Sequence, residues 1–472
     1  MSQQFKRILL ALVTVISVGS VSAFSLLGPF TAWQESEIGY DPLGGVDIGG
    51  PMNLGEEYRW NIPTVYYGFD ESFLNYFGQE GTNAIEKSIA ILNALPAMSQ
   101  TTANLTEFPN DTRRVNFRAS ALNLFDLKSY TLAALLEQLG LASPERYVWA
   151  LRNRTDDPLY LVIKRNFDPV TFSPSSFVNG TLYTYVIQDP VFPDPLPEFA
   201  DAREIQVDPL QFGYTAVASG LGSIYSPIQV GEFYTGLTRD DVGGLRYLYR
   251  NNNFQFENLL EGTTGTTSSG SPWGPPGGGT NEVTTNNIVD LAVRPGMDKI
   301  NFVRGKYDSL VGSFIVTTNT YTDKYVTNST LQSQTLQRVL TVPDLLFAAE
   351  DLGIVNGAPL RFVRTDTEGW INNDELNGQA TLDGPGVIPP QVVLTYSKIG
   401  PYFFNQPAVF MSELLSVPGA GWGSFDGTTN EPIVFPVGTS IQELEMQVLF
   451  GGGGGSSPWT VPNSVGVVTN TP

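Results

Sequence analysis

Apolar residues recur at helical spacing in three stretches of the first half of the chain. Behind Thr82, a suitable N-cap, Ile85, Ile89, Leu92 and Leu95 share one face, with Asn83, Glu86, Lys87 and Asn93 on the others. A second helix is expected from Ser129 through Leu132, Leu135, Leu136 and Leu139, with Gly140 just past its end. A third opens at Thr238 with Asp241 three residues on, a capping-box variant, and buries Val242, Leu245 and Leu248. Between these, Leu159–Lys164 and Thr181–Ile187 are rich in Tyr, Val, Ile and Leu and read as strands. The pattern predicts an α+β domain over residues 24–255, a mixed sheet with about three helices.

Beyond it the pattern changes to short apolar runs between Gly, Pro, Asn and Asp. Strands are expected at Ile288–Val293, Lys299–Val303, Val311–Thr317, Leu360–Arg364, Gln391–Ser397 and Met446–Phe450. One helix is expected with Pro343 in its first turn, Leu345, Leu346, Ala349 and Leu352 inside, and Gly353 after it. Residues 282–450 therefore read as a mostly-β, sandwich-like domain. A linker over 256–281, whose core is EGTTGTTSSGSPWGPPGGGTN, separates the halves, and 451–472 reads as a flexible Gly-rich tail. Trp273 and Trp459 sit in these two segments as possible small anchors for a neighbouring subunit.

The N-terminus adds a location. Lys6 and Arg7 precede an apolar stretch, Ile8–Val18, and Val21-Ser22-Ala23 offers small residues at the −3 and −1 positions. This is the layout of a secretory signal over residues 1–23, cut before Phe24. At 1.5 Å per residue that stretch rises only ~16 Å, too little for a bilayer core of ~30 Å. No other stretch approaches spanning length, so no transmembrane segment is expected after cleavage. Without Lys6 and Arg7 the chain keeps 24 basic residues against 47 acidic ones, a formal charge of −23. Such a charge repels phosphate backbones, so nucleic acid is excluded as a partner.

The 472 residues contain no histidine and no cysteine. Zinc held by histidine, Ser-His-Asp or Cys-His catalysis, cysteine-ligated clusters and disulfides are thereby excluded. No Ser has Lys three residues later, and neither G-x-S-x-G, a P-loop nor a dinucleotide fingerprint occurs. Chemistry that relies on paired carboxylates survives this test, although D-[TS]-G is absent: Asp308-Ser309 is followed by Leu310.

Two segments together resemble the matrixin branch of the metzincin metalloproteases. YRWNIPTVYYGFDESF followed by GTNAIEKSIAILNAL, within Glu57–Leu95, is similar to that family's opening strand and first long helix. GLTRDDVGGLRYLYR, Gly236–Arg250, is similar to its closing helix. The resemblance implies a protease-like scaffold without the protease chemistry. The family's H-E-x-x-H-x-x-G-x-x-H needs three histidines, and no methionine for its turn lies between Met98 and Met297. Placed in the stretch holding Pro190, Pro193, Pro195 and Pro197, the active helix would be broken by proline.

No cofactor is expected, and calcium is the most plausible ion, because it takes oxygen ligands alone. Arg364–Glu375, RTDTEGWINNDE, superposes on an EF-hand loop with Asp366, Glu368 and Glu375 at positions 3, 5 and 12. Arg364 stands where the first carboxylate belongs, so a polar turn is the simpler reading. Clustered aromatics at Tyr66-Tyr67, Tyr183, Tyr185 and Tyr402-Phe403-Phe404 are expected mainly in cores and cross-strand pairs. The composition is similar to that of surface-layer proteins: acidic, rich in Thr, Asn and Gly, and poor in Cys, His and Met. The expectation is a secreted, non-catalytic structural or adhesive protein of the cell surface or extracellular matrix. Its partners would be further copies of itself, other surface proteins or glycans. A carboxylate-dependent hydrolase, or a module that binds glycans or peptides, is the alternative.

Overall fold

A computed structural model describes residues 23–28, 49–154, 159–188, 201–222, 228–266, 288–309, 312–350, 354–355, 358–359, 364–366, 371–372, 385–398, 421–442 and 444–445. The elements used below are, in the first half, β1 (Phe24–Gly28), β2 (Thr64–Phe69), α1 (Glu71–Asn93), β3 (Leu124–Asp126), α2 (Leu127–Gln138), β4 (Thr181–Gln188), β5 (Asp201–Gln206), α3 (Arg239–Tyr249) and β6 (Gln255–Glu257). The second half supplies β7 (Ala292–Arg294), β8 (Asn301–Arg304), β9 (Thr317–Thr327), β10 (Thr330–Leu340), β11 (Leu345–Glu350), β12 (Arg364–Asp366), β13 (Val392–Ser397) and β14 (Gly421–Ser424). Strands in several sheets predominate over a few helices, a mixed, β-rich architecture.

The central sheet runs β8-β2-β11-β13-β12, parallel except for the edge strand β12. β2 belongs to the first half of the chain and is sandwiched between β8 and β11 of the second. This corrects the expected division at 256–281. The halves share one sheet and one apolar core that includes residues from Phe24 to Phe435. The linker reading fails over its first residues as well. Gln255–Glu257 and Thr263–Gly265 are the outer strands of a second, antiparallel sheet, ordered β6-β7-β9-β10 and then 263–265. Glu257 is fully buried against Arg59 at 2.7 Å, which fixes that segment as core.

The expected helix at Pro343–Gly353 is the strand β11. Leu345, Phe347, Ala348 and Ala349 are all buried, as in a strand covered on both faces of a parallel sheet. Such a strand reads as a continuous apolar run, which periodicity alone does not separate from a helix. In the half expected to be sandwich-like, β8, β11 and β13 are parallel strands of the central sheet, while β7, β9 and β10 belong to the antiparallel one. β9 and β10 form a long hairpin closed by Asn328-Ser329, both at positive φ (51° and 61°), the primed geometry of a two-residue turn. Of the other expected strands, Lys299–Val303 and Gln391–Ser397 overlap β8 and β13, and 446–450 lies outside the described residues, as do 1–22 and 451–472.

α1 starts eleven residues before the expected cap. Asp70 accepts the Ser72 N–H at 3.0 Å, and the helix kinks at Gly78, whose φ of +58° no β-carbon residue adopts easily. The early turns carry Phe73 and Phe77, which join Phe69, Phe347, Tyr396 and Trp422 in an aromatic cluster with ring centroids 4.7–6.4 Å apart. Thr82 is an interior residue whose hydroxyl donates back to the Gly78 carbonyl at 3.2 Å. α2 and α3 lie within two residues of expectation, with Gly140 at φ +97° ending α2 and the Thr238/Asp241 capping box formed on α3. α2 packs on α1 and is buried all round apart from half-exposed Glu137. Among the described residues no helix is long and apolar enough to cross a membrane.

Candidate functional site

The surface between Tyr183 and Thr238 is where a pocket would have to open, and among the described residues buried polar groups meet there. After Gly140 the chain forms a short strand, Leu141–Ala142, paired to β1, and then turns inward. Ser143 and Glu145 there are 2% and 0% exposed. The Glu145 carboxylate accepts the Ala216 N–H at 3.2 Å and a short hydrogen bond from the Ser219 hydroxyl. Ser143 Oγ donates to Ser219 Oγ at 2.9 Å.

A second buried carboxylate grips the same strip from α3. Asp241 accepts the Val217 and Ala218 N–H groups at 3.1 and 2.9 Å, and the Thr238 N–H at 2.8 Å. Residues 216–219 thus lie between Glu145 and Asp241, two acids in place of a sheet partner. Next to them Tyr214 donates a short hydrogen bond to Glu204, and Tyr183 Oη accepts the Tyr214 N–H at 3.1 Å. Against α2 the strip is tight. A β-carbon placed on Gly220 would meet Ala133 Cβ at 3.0 Å.

Burial pushes the Glu145 carboxyl up to about 7, against the hydrogen bonds from Ser219 and Ala216, and the nearby Asp241 charge adds to the rise. Asp241 is raised for the same first reason, burial. The phenols of Tyr183 and Tyr214 are raised by burial too, so both stay protonated donors. Among the described residues the arrangement is a closed clamp: two buried acids whose ionisation burial opposes, and hydroxyls that bond one another.

A pH prediction follows. The unfolded carboxyl of Glu145 titrates near 4.5 and the folded one near 7, so between these values the native state holds a proton that the unfolded chain has released. Stability from this group is therefore greatest at acid pH and falls as pH rises through that window. Glu145→Gln should flatten the fall, by at most about 3 kcal/mol, in urea melts compared at about pH 5 and pH 7.5. An unchanged slope would remove Glu145 as its source.

The residues singled out for calcium do not meet here. Asp366 is in the edge strand β12, opposite Val393, so the first three positions of the proposed loop are extended. Glu368 and Glu375 lie outside the described residues, as does the proline-bearing stretch 189–200. Among the described residues no three acidic side chains converge as a metal site. The aromatics divide: Tyr67 and Tyr183 are buried, Tyr185 is partly exposed against Trp149, and 402–404 lies outside the description. Ser143, Glu145 and Ser219 carry no sequence signal, because a buried acid on a turn has no periodicity. Asp241 was visible only as half of a capping box. Comparison of the chain with protein-family models, curated proteins and solved structures finds no match.

Proposed function

We propose that the chain is a secreted, non-catalytic structural or adhesive protein built on an inactive matrixin-like scaffold. The closed clamp carries this reading. With the glycine of H-E-x-x-H-x-x-G-x-x-H set on Gly140, the end of a buried helix, the histidine positions fall on Ala133, Glu137 and Ser143. Ala133 is fully buried against the 216–220 strip and Ser143 is tied to Ser219, so packing occupies the place where a metal and substrate would need room. This assignment moves the degenerate helix upstream from the proline-rich stretch to α2.

An interaction surface supports the second part of the reading. The β9–β10 hairpin and strand 263–265 expose Thr318, Thr320, Thr322, Thr335 and Thr264 on one face, where Thr320 faces Gln337 and Thr322 faces Thr335. Hydroxyls on this β-face, with Lys324 as its one exposed charge in that row of β9, contact other surface proteins, glycans or a second copy with little charge to desolvate. The chain acts outside the cell, with calcium as a possible aid to assembly.

Sedimentation velocity with and without calcium should show self-association that Thr320→Glu/Thr322→Glu/Thr335→Glu abolishes at unchanged Tm. A strict monomer in both conditions would overturn the assembly reading. Chelator-sensitive peptide hydrolysis by zinc-treated protein would overturn the non-catalytic one.

A further inference from the structure

Asn-x-Ser/Thr with x other than proline, the acceptor motif for an Asn-linked sugar, occurs at Asn104, Asn110, Asn153, Asn179 and Asn328. The fold sorts these positions. Asn179 is 7% exposed, and its amide nitrogen donates to the Thr215 and Thr238 hydroxyls at 3.1 Å each, which uses both of its hydrogens. Thr112, whose hydroxyl completes the Asn110 motif, is buried and donates to the Gly236 carbonyl at 2.6 Å. Thr155, which completes the Asn153 motif, lies outside the described residues. Asn104 and Thr106 are exposed, but their turn is strapped to α3, because Arg246 donates to the Thr102 and Ala103 carbonyls at 2.7 and 3.0 Å. Asn328 stands at the closed end of the β9–β10 hairpin, where Thr327, Asn328, Ser329 and Thr330 are all exposed.

The turn keeps the motif's two reacting residues together: Thr330 opens β10, and its hydroxyl faces the Asn328 carbonyl at 3.4 Å. We propose that Asn328 carries an Asn-linked glycan, a modification that rests on the export reading above. The donor is a sugar on a lipid-linked pyrophosphate, and the catalyst is a transferase of the secretory path. The Asn328 amide nitrogen forms a bond to the anomeric carbon and loses one proton. The bond from that carbon to the pyrophosphate oxygen breaks, and the lipid pyrophosphate leaves with the electron pair. Beside the turn Leu331 is 54% exposed, opposite Val326. A sugar on Asn328 covers this apolar end with neutral hydroxyls and adds no charge to an already acidic chain. The hairpin tip becomes its glycan-bearing end, and Thr320, Thr322 and Thr335 in its body stay open for contact.

The full-length chain with its leader, made in a eukaryotic secretory host, tests this by tryptic mapping of the secreted protein. The peptide Tyr325–Arg338 should carry a sugar mass that a glycan-releasing amidase removes, leaving Asp in place of Asn328. The peptide Asn166–Arg203, which holds Asn179, should carry none. Thr330→Val should abolish the added mass at Asn328, and Thr330→Ser, which keeps the hydroxyl, should retain it. Secreted protein with a bare Asn328 overturns the proposal, as does a glycan on Asn179, which would mean that the fold does not select the site. A chain kept inside the cell with its leader uncut overturns the export reading, and the proposal falls with it.

Discussion

Produced separately, residues 24–266 and 288–472 should each fail to melt cooperatively, whereas the two pieces expressed together should copurify with the far-UV spectrum of the whole chain. The reason is the position of β2. It pairs with β8 over Thr64–Tyr67 and with β11 over Tyr67–Phe69, so the first piece alone leaves it without a strand on either side. The same cut strips Phe347, Tyr396 and Trp422 from Phe69, Phe73 and Phe77. Loss of one buried aromatic costs about 3–5 kcal/mol. Three together approach or exceed the whole stability of a typical domain, about 5–15 kcal/mol. Thermal melts and limited proteolysis decide the matter. A sharp, protease-resistant transition in residues 24–266 alone would restore the two-domain division.

The elements that were legible in the sequence are those whose stability is local. α2 and α3 announce themselves by a cap, an apolar stripe and, for α2, a terminal glycine, all within a dozen residues. The N-terminal turns of α1 are less visible, because Gly78 breaks the stripe and Phe73 and Phe77 serve a cluster assembled from residues more than 250 positions away. β11 reads as a helix because a strand covered on both faces has no alternation to read. The expected division into halves rests on a composition shift. A Gly/Ser/Thr/Pro segment reports where the chain lacks core residues, and says nothing of whether the strands on either side pair. The clamp at Glu145 and Asp241 was illegible for a related reason. What defines it is burial and the backbone N–H groups of 216–218, neither of which leaves a mark on residue type. The absence of histidine was the most informative single observation about chemistry, and it holds whatever the fold.

Asp323→Ala should destabilise the protein by about 3–5 kcal/mol, among the largest effects of any single substitution outside the aromatic cluster. Arg294 and Asp323 are both fully buried, with Nε to Oδ1 at 3.0 Å and a second guanidinium nitrogen to Oδ2 at 3.2 Å. Removing the carboxylate leaves the guanidinium charge buried without its partner, and Gln334, which also donates to Asp323 at 2.8 Å, loses an acceptor. The pair is one rung of a ladder that joins the two halves. Arg294 donates to the Glu257 carbonyl in a short hydrogen bond, Arg59 donates to the Arg294 carbonyl at 3.0 Å, and Arg59 pairs with the Glu257 carboxylate. Replacing both charges, as Arg294→Met with Asp323→Leu, should recover the part of the loss that comes from an unpaired buried ion. It should not recover all of it, because the carbonyls of Glu257 and Val289 lose their guanidinium donors, at about 1–3 kcal/mol. Urea melts of the two single variants and the double should therefore show a coupling of about 2 kcal/mol or more, of the sign expected for a compensated pair. Additive losses would mean that water reaches Arg294 and that the rung contributes little to holding the antiparallel sheet on the first half of the chain.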